Sequence, residues 1–123
     1  MQSGVVVLVV DDDESVRRSL VRLLGASGYV SHGAAPTEDV VQLVADHRAT
    51  VIILDLHMRV TNGLELARRL RSVSHADRLW LIALSASVPD GDEALSIFDR
   101  ILSKPCPADL LFAAIERADS TAS

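Results

Sequence analysis

Several residue types are scarce in this chain, and each shortage excludes something. There is one cysteine, Cys106, in 123 residues. No internal disulfide can form, which fits a reducing compartment. There are four aromatic residues, Tyr29, Trp80, Phe98 and Phe112, too few for a base-stacking surface. Basic residues are outnumbered: 12 Lys and Arg against 17 Asp and Glu leave a formal charge of −5. A nucleic-acid binder needs a basic face to neutralise phosphates, so direct nucleic-acid binding is not expected. No unbroken apolar run is longer than that of Val5 to Val10, which is far too short to span a bilayer. The N-terminus has no basic segment and soon meets acids, so it does not read as a signal peptide. Internal repeats, low-complexity stretches and linkers are lacking too. The expectation is a cytoplasmic protein without membrane association.

What remains is well suited to a packed core. Hydrophobic residues make up 49% of the chain and charged residues 24%, the balance of a globular protein rather than a disordered one. The length suits a single domain that needs no disulfide or metal staple. With so few aromatics, the core must be built from Val, Leu, Ile and Ala.

The apolar pattern alternates between two periods. Val5 to Val10 is a β-branched run of the kind covered on both faces in a parallel sheet. Asp11 to Glu14 then signals a helix start, with Val16, Leu20, Leu23 and Leu24 on one face and Gly28 as the stop. Tyr29 to His32 reads as a second strand. Pro36 suits the first turn of a second helix, with Val40, Val41, Val44 and Ala45 inward. Val51 to Leu54 is a third strand, and Gly63 to Ser72 a third helix with Leu64, Ala67 and Leu70 or Leu66 as its stripe. Leu79 to Leu84 is a fourth strand. Pro89 to Phe98 holds a short helix, and Ile101 and Leu102 a brief fifth strand. Pro107 opens the last helix, with Leu110, Leu111, Ala114, Ile115 and Ala118 inward. Five strand–helix units in strict alternation imply right-handed crossovers, a parallel sheet and helices on both faces, an α/β fold.

In such open sheets ligands bind beyond the carboxyl ends of the strands. After the first strand come Asp11, Asp12 and Asp13; after the third, Asp55; after the fourth, Ser85 with Ala86; after the fifth, Lys104 and Pro105. Asp11, Asp12 and Asp55 would crowd like charges into one cleft, which raises their pKa values unless a cation relieves them. Magnesium suits an all-oxygen set of few carboxylates. No Gly-rich loop follows the first strand, so a phosphate here needs both a metal and a cation. Lys104 is the only lysine among twelve basic residues, and its compact ammonium acts as a point charge that a guanidinium does not replace. Ser85 is small and can donate to a phosphoryl oxygen.

These residues carry a family resemblance. VLVVDDDESVRRSL near the start, VIILDLHM followed by NGLEL, ALSA after the fourth strand and LSKP after the fifth, in this order and spacing, resemble the receiver domain of two-component response regulators. The resemblance covers Val5 to Glu116. It implies a three-layer, flavodoxin-like (βα)5 fold with strand order 2-1-3-4-5. It implies one receiver domain over residues 1–123 with a core of about 5–118; no output domain is expected after Ala118, the chain being either a stand-alone receiver or one cut from a longer protein. It implies that Asp55 is the phosphoacceptor, that Asp12 binds magnesium directly and Asp11 through water, and that the carbonyl of His57 is a further ligand. Ser85 would bond the phosphoryl group and Lys104 would pair with it. The Lys104–Pro105 bond is often cis in the family. Implied partners are a histidine kinase or histidine phosphotransfer protein, a downstream protein and a homodimer mate. Such a domain is not an enzyme beyond its own phosphorylation and dephosphorylation.

Three positions depart from that pattern. Arg59 stands where the family normally has proline, and Ile101 where it has Tyr or Phe. The stretch from Ser85 to Lys104 is about one helical turn shorter than is common; with the KPCPADL ending, the short fourth helix resembles receivers attached to hybrid histidine kinases. These departures leave the phosphorylation chemistry intact and bear on the output face. Simpler readings stand beside the functional ones. Asp13 is a helix cap with Glu14 at the positive helix end, His57 an exposed loop histidine, Met58 a core plug and Cys106 a small apolar packer. Arg68, Arg69 and Arg71 form a solvated helix face, or a kinase-docking one. Competing functions are a receiver-like protein-binding module that needs no phosphorylation, a magnesium phosphohydrolase using Asp55, and a flavodoxin-like nucleotide binder, which the acidic first loop opposes.

Overall fold

The computed structural model describes residues 4–59, 61–73, 79–86 and 92–122. Five strands and five helices alternate along them: β1 (Val6–Val10), α1 (Glu14–Ala26), β2 (Val30–Ala34), α2 (Val40–His47), β3 (Val51–Asp55), α3 (Gly63–Arg71), β4 (Trp80–Ser85), α4 (Asp92–Ile97), β5 (Arg100–Ser103) and α5 (Ala108–Ala122). All strand pairs are parallel, in the order β2-β1-β3-β4-β5. The expected fold class and strand order therefore hold.

The period-two geometry of the strands divides the core into two layers. Leu8, Val10, Ile52, Leu54, Leu81 and Ala83 point to one face, where Val40, Val44, Leu66, Ala67, Leu70 and Ala94 cover them from α2, α3 and α4. Val7, Val9, Val51, Ile53, Ile82 and Leu84 point to the other, where Leu24, Leu111, Ala114 and Ile115 cover them from α1 and α5. Burial on both faces is why β1, β3 and β4 read as unbroken apolar runs. Trp80 Nε1 donates to Ala114 O at 3.0 Å and pins α5 to the sheet.

Several local expectations need correction. Pro36 lies in the turn before α2, not in its first turn. The helix starts at Val40, capped by the Asp39 carboxylate, which accepts from Gln42 N at 3.1 Å. Val16, Leu23, Ala45 and Leu110 are exposed, because each lies to the side of the stripe that meets the sheet. The edge strand β2 runs on to Ala34. Pro89 lies outside the described residues, and the short fourth helix is seen from Asp92. Asp13 is the N-cap of α1, accepting from Ser15 N and Val16 N. Gly28, at φ 95, takes the left-handed position after the C-cap Ser27.

Arg68 and Arg71 are not merely solvated. Arg68 grips Glu93 of α4 with two nitrogens. Arg71 is half-buried and donates to Ile97 O, Leu79 O and Asp99 Oδ2. These contacts join α3 to α4 and to the starts of β4 and β5. Arg69 is exposed, as a solvated helix face would have it.

Gly63 opens α3 where the chain passes close behind β3. A Cβ there would lie 2.6 Å from Asp55 O and 2.9 Å from Leu56 Cα, both backbone atoms that cannot turn aside. Gly63→Ala is therefore expected to cost about 1–3 kcal/mol in denaturant unfolding. Wild-type stability in that variant would show that the junction yields freely.

On the opposite flank, His32 of β2 stacks on His47 of α2 with ring centroids 3.9 Å apart. Burial, and secondly the neighbouring His47, hold the His32 pKa below its ordinary value of 6.5. The unfolded chain thus binds this proton more readily. The contribution to stability is complete above about pH 6.5 and is lost as the pH falls toward the lower folded value. His32→Phe is expected to flatten this part of the stability–pH curve. An unchanged curve would remove His32 as its cause.

Candidate functional site

The strand order reverses direction between β1 and β3, and the carboxyl ends of those two strands face the same opening. Register does the rest. Val10 pairs with Leu54, Asp55 with Leu84, and Ser85 with Ser103. The residues that follow these pairs therefore meet at one edge.

Asp11 and Asp55 are 2% and 4% exposed, and Ser85 is 2% exposed; they are the buried polar side chains of the described core. Each acid is fixed by local backbone. Asp13 N donates to Asp11 Oδ1 at 2.9 Å, and His57 N donates to Asp55 Oδ1 at 2.9 Å. Arg17 reaches back from α1 to Asp11 O at 2.7 Å. Asp12 Oδ2 accepts from Arg59 N at 3.0 Å, with Arg59 Nε 3.8 Å away. Lys104 Nζ lies 3.1 Å from Asp55 Oδ2 and 3.9 Å from Asp11 Oδ2. Its own backbone N–H donates to Ser85 O at 2.8 Å, which ties the β5 loop to the end of β4. The Lys104–Pro105 bond is cis.

The electrostatics follow from this packing. Burial, first of all, pushes the Asp11 carboxyl above its usual range, and the charges of Asp55 and Asp12 push the same way; the Asp13 N–H and Lys104 oppose them. Asp12 is held below the usual range, chiefly by the Arg59 backbone N–H and further by its guanidinium. One carboxylate oxygen from each of Asp11, Asp12 and Asp55 falls within a 4.8 Å span. An all-oxygen set of this size suits a hard divalent cation such as magnesium, which takes few carboxylates and keeps water.

The structure thus brings together Asp11, Asp12, Asp55, Ser85 and Lys104, as the sequence suggests. His57 is exposed, but not idle: its Nε2 lies 3.1 Å from Ser85 Oγ. That contact joins positions 28 residues apart, and no local pattern announces it. The Asn62 cap of α3, which accepts from Leu64 N at 2.8 Å, was also missed. Its signal was there: Asn62 with Glu65 three residues on has a capping-box pattern. Met58 and Cys106 are partly buried against the two core layers, as expected. Burial, then Asp109, raises the Cys106 thiol pKa, the opposite of an activated thiolate.

The fold is a doubly wound α/β domain with buried acids, a lysine and a serine at its switch edge. Comparison with known proteins gives the family. The model of the response regulator receiver domain matches residues 7–116, and the chain belongs to that family. Response regulator MprA of Mycobacterium sp. (strain KMS) is 40% identical over 80 residues, 65% of this chain and 34% of that protein. The chain thus spans about a third of the length of the curated relatives it matches. Among solved structures, chemotaxis protein CheY4 of Vibrio cholerae superposes with a TM-score of 0.84 at 26% identity, over 93% of this chain and 98% of that one. A sensor protein from Polaromonas sp. JS666 shares the fold with a TM-score of 0.86 at 23% identity, over 98% and 99% of the two chains. Among the described residues, no helix is long and apolar enough to cross a membrane.

Proposed function

We propose that this domain accepts a phosphoryl group on Asp55 from a histidine kinase or histidine phosphotransfer protein, and so changes which protein it binds. The observation that carries this reading is the meeting of Lys104 Nζ with Asp55 Oδ2 at 3.1 Å beside the three converging carboxylates. An Asp55 oxygen attacks phosphorus; the phosphorus–nitrogen bond of the donor phosphohistidine breaks, and its electron pair leaves with the imidazole. Lys104 pairs with the incoming oxygens and Ser85 donates to one of them. Preorganised charge of this kind is the main contribution a protein makes to phosphoryl transfer. Asp11, Asp12, Asp55 and the His57 carbonyl would hold magnesium, which when bound neutralises charge on the phosphoryl oxygens. Return to the resting state is hydrolysis: water attacks phosphorus and the Asp55 carboxylate leaves.

The receiver unit, with its core at about 5–118, works in the cytoplasm and acts on no substrate but its own phosphoryl group. The acidic charge supports protein rather than nucleic-acid partners; a second copy of the domain is one such partner. A single observation favours a second reading, binding without phosphorylation. Ile101 stands where the family has an aromatic and packs against the core, so no ring turns there. Incubation with a small phosphodonor and magnesium, followed by intact-mass measurement, separates the two. The expected result is a gain of one phosphoryl group that Asp55→Asn abolishes. No gain in wild type leaves the binding module. Continuous release of phosphate from many esters would indicate a phosphohydrolase.

A further inference from the structure

The side chain of Arg59 has no role in the chemistry above, yet its position is specific. Its backbone N–H and its Nε address the same oxygen, Asp12 Oδ2, at 3.0 and 3.8 Å. The rest of the side chain stands in solvent, 94% exposed. Among the described residues, two cationic side chains lie within 4.0 Å of the triad carboxylates, Lys104 at Asp55 and Asp11, and Arg59 at Asp12; Arg17 instead bonds the Asp11 backbone carbonyl. The two differ in how they are held. Lys104 is one-third exposed and sits between two buried carboxylates. Arg59 is tethered at one oxygen by a long, hydrated arm, so it can leave at little cost.

We infer that Arg59 is a tethered counter-cation that competes with the divalent ion for Asp12. This rests on the reading of the triad as a metal site. A divalent ion approaching Asp12 meets a guanidinium already at that carboxylate, and like charges repel. The effect is a lowered metal affinity in the resting domain. The arriving phosphoryl group brings about two negative charges and reverses the sign of the problem, because the same guanidinium then adds to the positive side. Arg59 thus biases the site toward holding metal and phosphoryl together rather than metal alone. Proline at this position would offer neither the charge nor the N–H.

The test is magnesium binding, with no phosphodonor present. Wild type, Arg59→Gln and Arg59→Lys are titrated with magnesium, and affinity is read by calorimetry or from the amide resonances of Asp13 and His57. Both variants keep the backbone N–H to Asp12, so only the side chain changes. Arg59→Gln is expected to bind magnesium about two- to five-fold more tightly than wild type. Arg59→Lys should stay near wild type, and the gap should close in high salt, since the charge is exposed. Unchanged thermal midpoints in the exposed variants establish that folding is intact. Equal or weaker affinity in Arg59→Gln overturns the inference and leaves the site reading in place. A wild-type protein that binds no magnesium, as in Asp12→Asn, overturns both.

Discussion

Lys104→Met is expected to take up a phosphoryl group about 100- to 1,000-fold more slowly than wild type, the usual cost of removing one preorganised charge from a transition state. Lys104 Nζ touches Asp55 Oδ2 and stands near Asp11 Oδ2, where the proposed transfer would gather the phosphoryl oxygens. It is the only lysine in the chain, so no neighbour of the same kind can substitute. Lys104→Arg is not a rescue: a planar, longer guanidinium cannot place one point charge between two buried carboxylates. The same loss leaves Asp11 and Asp55 less compensated, so the variant should also melt at a lower temperature without magnesium than with it. The check is the rate of mass gain with a small phosphodonor. A rate near wild type would remove Lys104 from the chemistry.

Arg71→Met gives the largest loss of stability expected here, about 2–4 kcal/mol, or roughly 10 °C in the melting temperature of a domain this size. The guanidinium donates to Ile97 O at 3.1 and 2.7 Å, to Leu79 O at 2.9 Å and to Asp99 Oδ2 at 2.8 Å. Asp99 Oδ2 in turn accepts from Leu81 N at 2.8 Å. Removing the cation strips donors from two carbonyls and leaves a half-buried carboxylate without its charge partner. Arg71→Lys should recover little, because one ammonium cannot match a fork that serves Ile97 O, Leu79 O and Asp99 Oδ2 together. Thermal and urea unfolding measure it, and a change below about 0.5 kcal/mol, the usual range for surface substitutions, would show the network to be dispensable.

Legibility in the sequence tracked burial. β1, β3 and β4 lie inside the sheet, so their runs are apolar throughout, and the chemistry sits one or two residues past each run. That is why Asp11, Asp12, Asp55 and Ser85 could be named from spacing. β2 is an edge strand with Ser31, His32 and Gly33, and so little apolar signal marks its end. The start of α2 was misplaced because Pro36 and Asp39 are both good opening signals, and only packing decides between them. Val16, Leu23 and Leu110 fit a helical period but flank the stripe, which periodicity alone cannot resolve. The bonds of Arg68 to Glu93, Arg71 to Ile97 and His57 to Ser85 join residues 25 to 28 positions apart. Nothing local encodes such pairs; the register of the sheet creates them.

The most direct measurement is a crystal structure with magnesium and beryllofluoride, a mimic of the bound phosphoryl group. The predicted result is beryllium bonded to an Asp55 carboxylate oxygen, with Lys104 Nζ and Ser85 Oγ on the fluorides and the cation among Asp11, Asp12 and the His57 carbonyl. Beryllofluoride bound elsewhere, or an Asp55 carboxylate still paired only with Lys104 at saturating mimic, would contradict the account.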